Sequence, residues 1–211
     1  GCFKCNTQNI IYRIGRVMLN FRESISKEEI NSLPVLEYEG RNIVLVDTLS
    51  KLKTTIEVLK NEEVLGFDTE TKPSFEKGKM NKVALLQLST ADTCYLIRLN
   101  VLGMQNPIIE ILSSEKPLKI GLSLKDDYKM LNRRRSFKPA GFLDLQSVIG
   151  KFGIKDLSLQ KIYAIMFNKK ISKSQRLTNW QAPNLTLQQQ KYAAVDAWAC
   201  MDIYNVIKDE L

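Results

Sequence analysis

Four side chains in two distant stretches of this sequence could do chemistry together. Asp68 and Glu70 follow the apolar run 64–67, and their i, i+2 spacing puts both carboxylates on one face of a strand. Tyr192 and Asp196 are four residues apart and therefore share one face of a helix, where neighbouring alanines let another backbone come close. If the two stretches meet, three carboxylates and a phenol converge.

Such a cluster of acids predicts a metal site. Carboxylates packed closely repel one another and cost stability unless a cation holds them. Hard oxygen ligands suit Mg²⁺ or Mn²⁺. We therefore expect Asp68, Glu70 and Asp196 to bind divalent cations.

Composition excludes several classes of enzyme. The chain has no histidine, so triad-type hydrolases, histidine-ligated zinc enzymes and imidazole bases are ruled out. Its 211 residues, 44% of them hydrophobic, suit one globular domain. No apolar run approaches the roughly eighteen residues of a membrane span, and residues 1–30 do not show the charged-then-apolar pattern with a small-residue cleavage site that is typical of a secretory leader. We expect a soluble, cytoplasmic protein with no membrane partner.

The N-terminal region is predicted to lie outside the domain. We expect an extension over residues 1–34 and one domain over 35–211. Cys2 and Cys5 form a lone CxxC without a second pair or a histidine to complete a zinc site, so we expect it to be inert. Because Met18 would make a natural start, we expect residues 1–17 to be a leader or an added segment.

Positive charge is concentrated in one region. Residues 116–176 contain fifteen Lys or Arg and four Asp, a net charge of +11. A charge run alone is most often a solvated face. Beside an acidic metal site, however, basic walls favour a polyanionic substrate.

The order of elements predicts the α/β class. Capping boxes at Ser26–Glu29 and Thr186–Gln189 each predict the start of a helix. Three consecutive strands and then alternating helices and strands imply a mixed sheet covered by helices. The expected strands are 41–46, 64–69, 82–89, 94–99, 118–122 and 141–143, and the expected helices after the first are 48–60, 104–113, 125–132, 145–152, 158–167 and 186–208.

Three motifs stand out in the sequence. They are Phe67-Asp68-Thr69-Glu70, the segment 120–131 with Asp126-Asp127, and Tyr192-Ala193-Ala194-Val195-Asp196-Ala197. With these motifs, about residues 40–208 resemble the tyrosine type of DEDD 3′-to-5′ exonucleases, in the branch with ribonuclease D and the Werner syndrome exonuclease domain. This resemblance implies a ribonuclease H-like mixed sheet, with the first three core strands antiparallel and later ones parallel.

The second motif contains two adjacent acids, only one of which can face the metals, because neighbours on a helix lie about 100° apart. The resemblance favours Asp127, which leaves Asp126 as a solvated acid near a helix N-terminus. Asp144 is a further candidate, but we expect it to cap the helix predicted at 145–152.

The resemblance also implies a mechanism with two divalent cations, Mg²⁺ or Mn²⁺, about 3.5–4 Å apart. Asp68, Glu70 and Asp196 would hold one ion, Asp68 would bridge to the other, and Asp127 would bind its hydration shell. Tyr192 would orient the attacking water. A half-buried core position is the alternative for Tyr192.

Four further side chains are expected to contact substrate by resemblance: Thr69, Gln87, Arg176 and Trp180. Strand polarity and general charge explain Gln87 and Arg176 as well, and packing is an alternative for Trp180. The implied partner is nucleic acid with a single-stranded or recessed 3′ end, cleaved to nucleoside 5′-monophosphates. DNA is favoured over RNA, because the chain ends soon after the third motif. The alternatives are a ribonuclease D-like RNA-processing enzyme, an endonuclease of the same superfamily and a non-catalytic binding module.

Overall fold

A six-stranded mixed sheet covered by helices is the body of this protein. The computed structural model describes residues 11–13 and 16–211, with side chains described from residue 19 onward. The strands are β1 (Ile11–Arg13), β2 (Arg16–Met18), β3 (Asn42–Val46), β4 (Val64–Thr71), β5 (Val83–Ser89), β6 (Thr93–Arg98), β7 (Leu118–Gly121) and β8 (Phe142–Asp144). The helices are α1 (Lys27–Ser32), α2 (Leu49–Lys60), α3 (Leu99–Leu102), α4 (Asn106–Leu112), α5 (Leu124–Asn132), α6 (Leu159–Phe167) and α7 (Leu187–Ile207).

The strand order in the large sheet is β3-β6-β5-β4-β7-β8. Strands β4, β5 and β6 pair antiparallel, whereas β7 and β8 continue parallel to β4. The predicted mixed sheet is therefore confirmed. Strand β3 adds a parallel edge beside β6, a position that the sequence did not indicate. Strands β1 and β2 form a separate two-stranded sheet.

Strand β4 is longer than its parallel neighbour, and this difference opens one edge of the sheet. Only Val64, Leu65 and Gly66 pair with β7, while pairing with β5 continues to Thr71. The second half of β4 therefore has a free edge facing the N-terminal end of α5. Elements from both faces of the sheet can reach this edge.

Alternate residues of β4 face different helices. Gly66 lies directly under α7: a Cβ added there would come within 2.1 Å of the Ala197 carbonyl oxygen. Because side chains alternate along a strand, Asp68 and Glu70 lie on that same face. Leu65 and Phe67 are buried on the other face, in a core cluster with residues of α2, α4 and α5.

Capping boxes and the spacing of apolar residues predicted the positions of most helices correctly. Both predicted capping boxes are present, with Ser26 and Glu29 starting α1 and Thr186 and Gln189 starting α7. The prediction of one helix over 145–152 is wrong, because the chain forms two short 3₁₀ helices there, Leu145–Ser147 and Ile149–Phe152. The four-residue α3 was not predicted.

The described part of the predicted N-terminal extension, residues 19–34, contacts the core of the domain. Ile25 and Ile30 are buried in the same core cluster as Ile162 and Ile203 of α6 and α7. The segment 19–34 therefore packs as part of the domain. The predictions for Cys2 and Cys5 lie outside the described residues. Within the part of the chain that the structure describes, no helix combines the length and apolar character needed to cross a membrane.

Candidate active site

Three carboxylates from β4 and α7 meet at the free edge of the sheet. One ligand oxygen from each of Asp68, Glu70 and Asp196 lies within 4.8 Å of the other two. All three side chains are partly buried. In the described region 19–211, no other three Asp, Glu or Cys residues bring their ligand atoms within 4.8 Å of one another. The structure thus brings together the three acids that the sequence assigned to one site.

Small residues on α7 make this meeting possible. Ala193, Ala194 and Ala197 are fully buried against the sheet. With alanine on the helix and Gly66 on the strand, the two backbones approach closely enough for Asp196 to reach the acids of β4. A larger residue at any of these contacts would separate the two motifs.

Burial raises the pKa of all three acids, and neighbouring carboxylates add to the rise at Asp68 and Glu70. Burial, followed by the charges of Asp196, Glu70 and Asp127, holds the pKa of Asp68 well above its usual range. Burial, followed by the charges of Asp196 and Asp127, raises the pKa of Glu70 strongly. Burial raises the pKa of Asp196 to about 6. The ionised cluster is therefore electrostatically unfavourable in the absence of a cation.

Lys173 lies close enough to act on this cluster. Its positive charge lowers the pKa of both Glu70 and Asp196, although burial outweighs it in each case. The sequence placed Lys173 in a basic stretch without assigning it to the site. Its loop, residues 169–176, is called the basic loop below.

Asp127 approaches from the opposite face of the sheet. It lies on α5, outside the three-residue cluster, and Thr69 Oγ1 donates a hydrogen bond to its Oδ1 at 2.5 Å. Burial raises the pKa of Asp127 to about 6, and the hydrogen bond from Thr69 opposes this rise. Asp126 is exposed beside it. Thr69, which was expected to contact substrate, holds this carboxylate through that hydrogen bond, and its contact with substrate stays a prediction.

Asp144 fixes the start of α5 and so the position of Asp127. Its carboxylate accepts hydrogen bonds from the backbone N–H groups of Ser123, Leu124 and Gln146, at 3.0, 2.9 and 3.0 Å. The bond from Gln146 confirms the predicted cap of the following turn. The two bonds to the start of α5 were not predicted, because they join segments about twenty residues apart.

Tyr192 faces the acids from one turn earlier on α7. Burial, followed by the charges of Asp196, Glu70 and Asp68, raises its pKa well above the usual range, while nearby Arg176 lowers it. The phenol is therefore protonated at neutral pH and available as a hydrogen-bond donor. Arg176 is exposed on the basic loop, a position open to substrate.

The structure does not support direct substrate contact by Trp180 or Gln87. Both side chains are 0% exposed. Trp180 packs with its ring centre 5.9 Å from that of Tyr192, and Gln87 Nε2 donates to the Ala193 carbonyl oxygen at 3.3 Å. Both side chains therefore contact residues of α7. The sequence motifs identified their neighbourhood but could not reveal their burial.

A buried arginine holds the segment that carries Trp180. Arg98, at the end of β6, donates to the carbonyl oxygens of Pro183 and Ala182 at 2.9 and 2.5 Å. Its side chain is 2% exposed. These two hydrogen bonds fasten the segment that precedes α7 to the sheet.

The residues present fit a divalent metal. The donor set consists of carboxylate oxygens, which Mg²⁺ and Mn²⁺ prefer. The cluster carries more negative charge than Lys173 can balance, as the raised pKa values show. Bound cations would relieve this repulsion, so the electrostatics and the ligand chemistry agree.

A cavity of about 630 Å³ is lined in part by Tyr192. It lies between residues 35–43, part of the basic loop and α7, and Asp68, Glu70 and Asp196 are not among its lining residues. Tyr192 is therefore close to both the cavity and the carboxylates.

Comparisons with known proteins agree with this geometry. A family model described as 3′-5′ exonuclease matches residues 43–211. The chain is 30% identical over 184 residues to the bifunctional 3′-5′ exonuclease/ATP-dependent helicase WRN of Mus musculus, across 83% of this chain. It is 26% identical over 201 residues to the exonuclease mut-7 homolog of Aedes aegypti, also across 83% of this chain.

One solved structure extends the likeness to three dimensions. The Aedes aegypti Nibbler EXO domain matches with a TM-score of 0.69 and 25% identity, over 84% of this chain and 92% of that one. In contrast, the match spans only 13% of the mouse protein and 28% of the mosquito mut-7 homolog. The likeness therefore concerns one domain of those longer proteins.

Proposed function

Because this chain belongs to the 3′-5′ exonuclease family, we propose that it removes nucleotides from the 3′ end of nucleic acid by metal-dependent hydrolysis of phosphodiester bonds. The products are nucleoside 5′-monophosphates. The observation that carries the proposal is the convergence of Asp68, Glu70 and Asp196 within 4.8 Å. Three partly buried acids with raised pKa values are a costly arrangement that a metal site explains.

Asp68, Glu70, Asp196 and Asp127 are the proposed ligands of two divalent cations, Mg²⁺ or Mn²⁺. Asp68, Glu70 and Asp196 would hold one ion, and Asp127 would bind the hydration shell of the second. When bound, such ions would supply activation of a water molecule and stabilisation of the charge on the leaving oxygen. Thr69 keeps Asp127 oriented by the hydrogen bond to its Oδ1.

Tyr192 positions the attacking water in this proposal. Its phenol is protonated at neutral pH because burial and nearby acids raise its pKa. It can donate a hydrogen bond to a water or to a phosphate oxygen without losing its proton. Trp180 packs against Tyr192, which restrains the phenol ring.

The basic loop supplies the attraction for the substrate backbone. Lys173 and Arg176 lie near the acids and Tyr192, as their effects on those pKa values show. They can bind phosphates on either side of the scissile bond, which offsets the repulsion between the acidic cluster and a polyanion.

DNA with a single-stranded or recessed 3′ end is the proposed substrate. The support is the resemblance of the three motifs to the Werner syndrome exonuclease. A ribonuclease D-like action on RNA is the alternative, and the family includes relatives of that name, such as ribonuclease D of Haemophilus influenzae at 28% identity over 131 residues.

A labelled-oligonucleotide assay tests the proposal. Single-stranded DNA, recessed duplex DNA and RNA, each labelled at the 5′ end, are incubated with Mn²⁺ or with chelator. We expect a ladder of one-nucleotide steps that requires metal and is strongest on DNA. Asp68→Ala abolishes the ladder, whereas Asp126→Ala, which changes an exposed acid nearby, retains it.

Other outcomes point to the other hypotheses. Internal fragments without a ladder indicate an endonuclease, and a stronger ladder on RNA indicates the ribonuclease D-like alternative. Binding without any cleavage indicates a non-catalytic module. Cleavage that persists in chelator, or in Asp68→Ala, contradicts the proposed metal site.

A further inference from the structure

The loop between β4 and β5, residues 72–82, presents an unusual surface beside the proposed site. Phe75 is 86% exposed and Met80 is 56% exposed. Among the large hydrophobic side chains that the structure describes as exposed, Phe75 is the most exposed and the only aromatic one. An exposed aromatic ring leaves its face open to contact with a partner.

This β4–β5 loop also carries a strong positive charge. It contains four lysines, at positions 72, 77, 79 and 82, and one acid, Glu76. Lys79 pairs with Glu76 at 3.1 Å. An aromatic ring among lysines suits a nucleic-acid strand, which offers base faces and phosphates together.

The loop is held by specific contacts. Asn81 Nδ2 donates to the carbonyl oxygens of Lys72 and Pro73, at 2.9 and 3.3 Å, and so closes the base of the loop. Arg133 Nη1 donates to Met80 Sδ at 3.1 Å. Arg134 donates from Nε to the Val83 carbonyl oxygen just beyond the loop. The two arginines tie the loop to the C-terminal end of α5.

The contact between Arg133 and Met80 indicates how far the loop lies from Asp127. Arg133 follows Asp127 by six residues, which corresponds to about 9 Å along a helix. Stacked nucleotides repeat every ~3.4 Å, so that distance spans about two or three of them. A strand whose 3′ end lies at the carboxylates can therefore reach the loop with bases upstream of the cleaved bond.

We propose that the β4–β5 loop is a second substrate contact, in which Phe75 stacks on a base about two or three nucleotides upstream of the cleaved phosphodiester. Lys72, Lys77 and Lys82 bind the adjoining phosphates. This inference rests on the proposed function. Its consequence is a preference for oligonucleotides over minimal substrates, without a preference for base sequence, since every base has a face to stack on.

The test compares a long substrate with a minimal one. We measure kcat/KM on a single-stranded octanucleotide and on the p-nitrophenyl ester of thymidine 5′-monophosphate, which cannot reach the loop. Phe75→Ala lowers the ratio of the two values about tenfold, the size expected from losing one base–aromatic stack. Phe75→Trp keeps the ratio within about twofold, because it retains a stacking ring. Leu49→Ala removes another exposed apolar side chain, on α2, and serves as the matched control.

A binding measurement makes the test independent of turnover. Fluorescence anisotropy of the labelled octanucleotide in Ca²⁺ gives its Kd, which rises about tenfold in Phe75→Ala and stays at the parent value in Leu49→Ala. Equal Kd values and ratios for parent and Phe75→Ala overturn the inference while the proposed function stands. Weaker binding by Phe75→Ala in a protein that cleaves neither substrate supports the contact and contradicts the proposed function alone. An equal loss on both substrates marks a structural role and also overturns the inference.

Discussion

Thr69 Oγ1 donates a hydrogen bond to Asp127 Oδ1 across 2.5 Å, joining the central strand of the sheet to α5. Thr69 lies between Asp68 and Glu70 but points to the opposite face. The segment 68–70 of β4 thus lies between α7, which carries Asp196, and α5, which carries Asp127. Thr69 holds Asp127 to the strand that carries Asp68 and Glu70.

Replacing Thr69 by valine removes this bond while preserving shape. We expect kcat/KM to fall about tenfold, since a hydrogen bond to a charged group contributes about 1.5–3 kcal/mol. The bond also lowers the pKa of Asp127, so its loss shifts the acidic limb of the pH–rate profile to higher pH. Thr69→Ser keeps the hydroxyl and stays within about threefold of the parent. A valine variant with the parent's rate and pH profile would show that the bond has no part in activity.

Asp144 provides a second test of how α5 is positioned. Asp144→Ala leaves the N–H groups of Ser123, Leu124 and Gln146 without their acceptor. We expect the free energy of unfolding to fall by about 1–2 kcal/mol, which is the usual cost of losing a helix cap. Thermal denaturation measures it, as a melting temperature lower by roughly 2–8 °C. Asp126→Ala is the control, because that exposed acid makes no comparable contacts, and equal melting curves for the two variants would contradict the assignment.

Gly66 tests the close approach of strand and helix. A Cβ at this position would lie 2.1 Å from the Ala197 carbonyl oxygen, a backbone atom that cannot move alone. Gly66→Ala is therefore expected to cost about 2–4 kcal/mol of stability and to displace Asp196 from the β4 acids. At Gly150 an added Cβ meets nothing within 4 Å, so Gly150→Ala changes the denaturation midpoint little. A stable, fully active Gly66→Ala variant would show that the contact is not needed.

The sequence predicted the parts of the site that depend on local spacing. The i, i+2 acids of β4 and the two capping boxes follow from a few neighbouring residues, and the structure contains them. The alanines beside Asp196 allowed a close approach of another backbone, and the resemblance of the three motifs implied that Asp68, Glu70 and Asp196 share one site.

Contacts between distant segments could not be predicted in this way. The bonds from Asp144 to the start of α5 depend on how β7 and β8 align, and no local pattern encodes that register. Trp180 precedes the third motif, and a tryptophan suits either packing or substrate contact, so only the three-dimensional structure shows it to be buried. Lys173 was one basic residue among several until the basic loop was placed beside the acids.

Metal-free stability should depend on pH in a direction set by the raised pKa values. The folded protein holds protons on the site acids at a pH where the unfolded chain has lost them, so this contribution to stability is lost as pH rises through the folded pKa. For Asp196 that pKa is about 6. In chelator, Asp196→Asn is therefore expected to be more stable than the parent at pH 8, by about 1–2 kcal/mol after allowance for solvent screening.

Denaturation with urea at pH 5 and pH 8 checks this expectation. At pH 5 the difference between the two proteins should shrink to about half of its value at pH 8, because Asp196 is then largely protonated in the folded parent but already ionised in the unfolded chain, where its pKa is 3.8. Adding Mn²⁺ at pH 8 should reverse the order, because the ion binds only the folded parent's complete set of ligands. A variant that is less stable than the parent at pH 8 in chelator would contradict mutual repulsion among these acids.

Manganese binding is the most direct test of the central claim that these acids form one metal site. Isothermal titration calorimetry at pH 7.5 should show two Mn²⁺ ions bound per chain of the parent. Asp68→Asn, which changes the acid shared between the two proposed ion positions, should lose measurable binding of both, while Asp126→Asn should match the parent. Absence of binding by the parent, or equal binding by Asp68→Asn, would contradict the account.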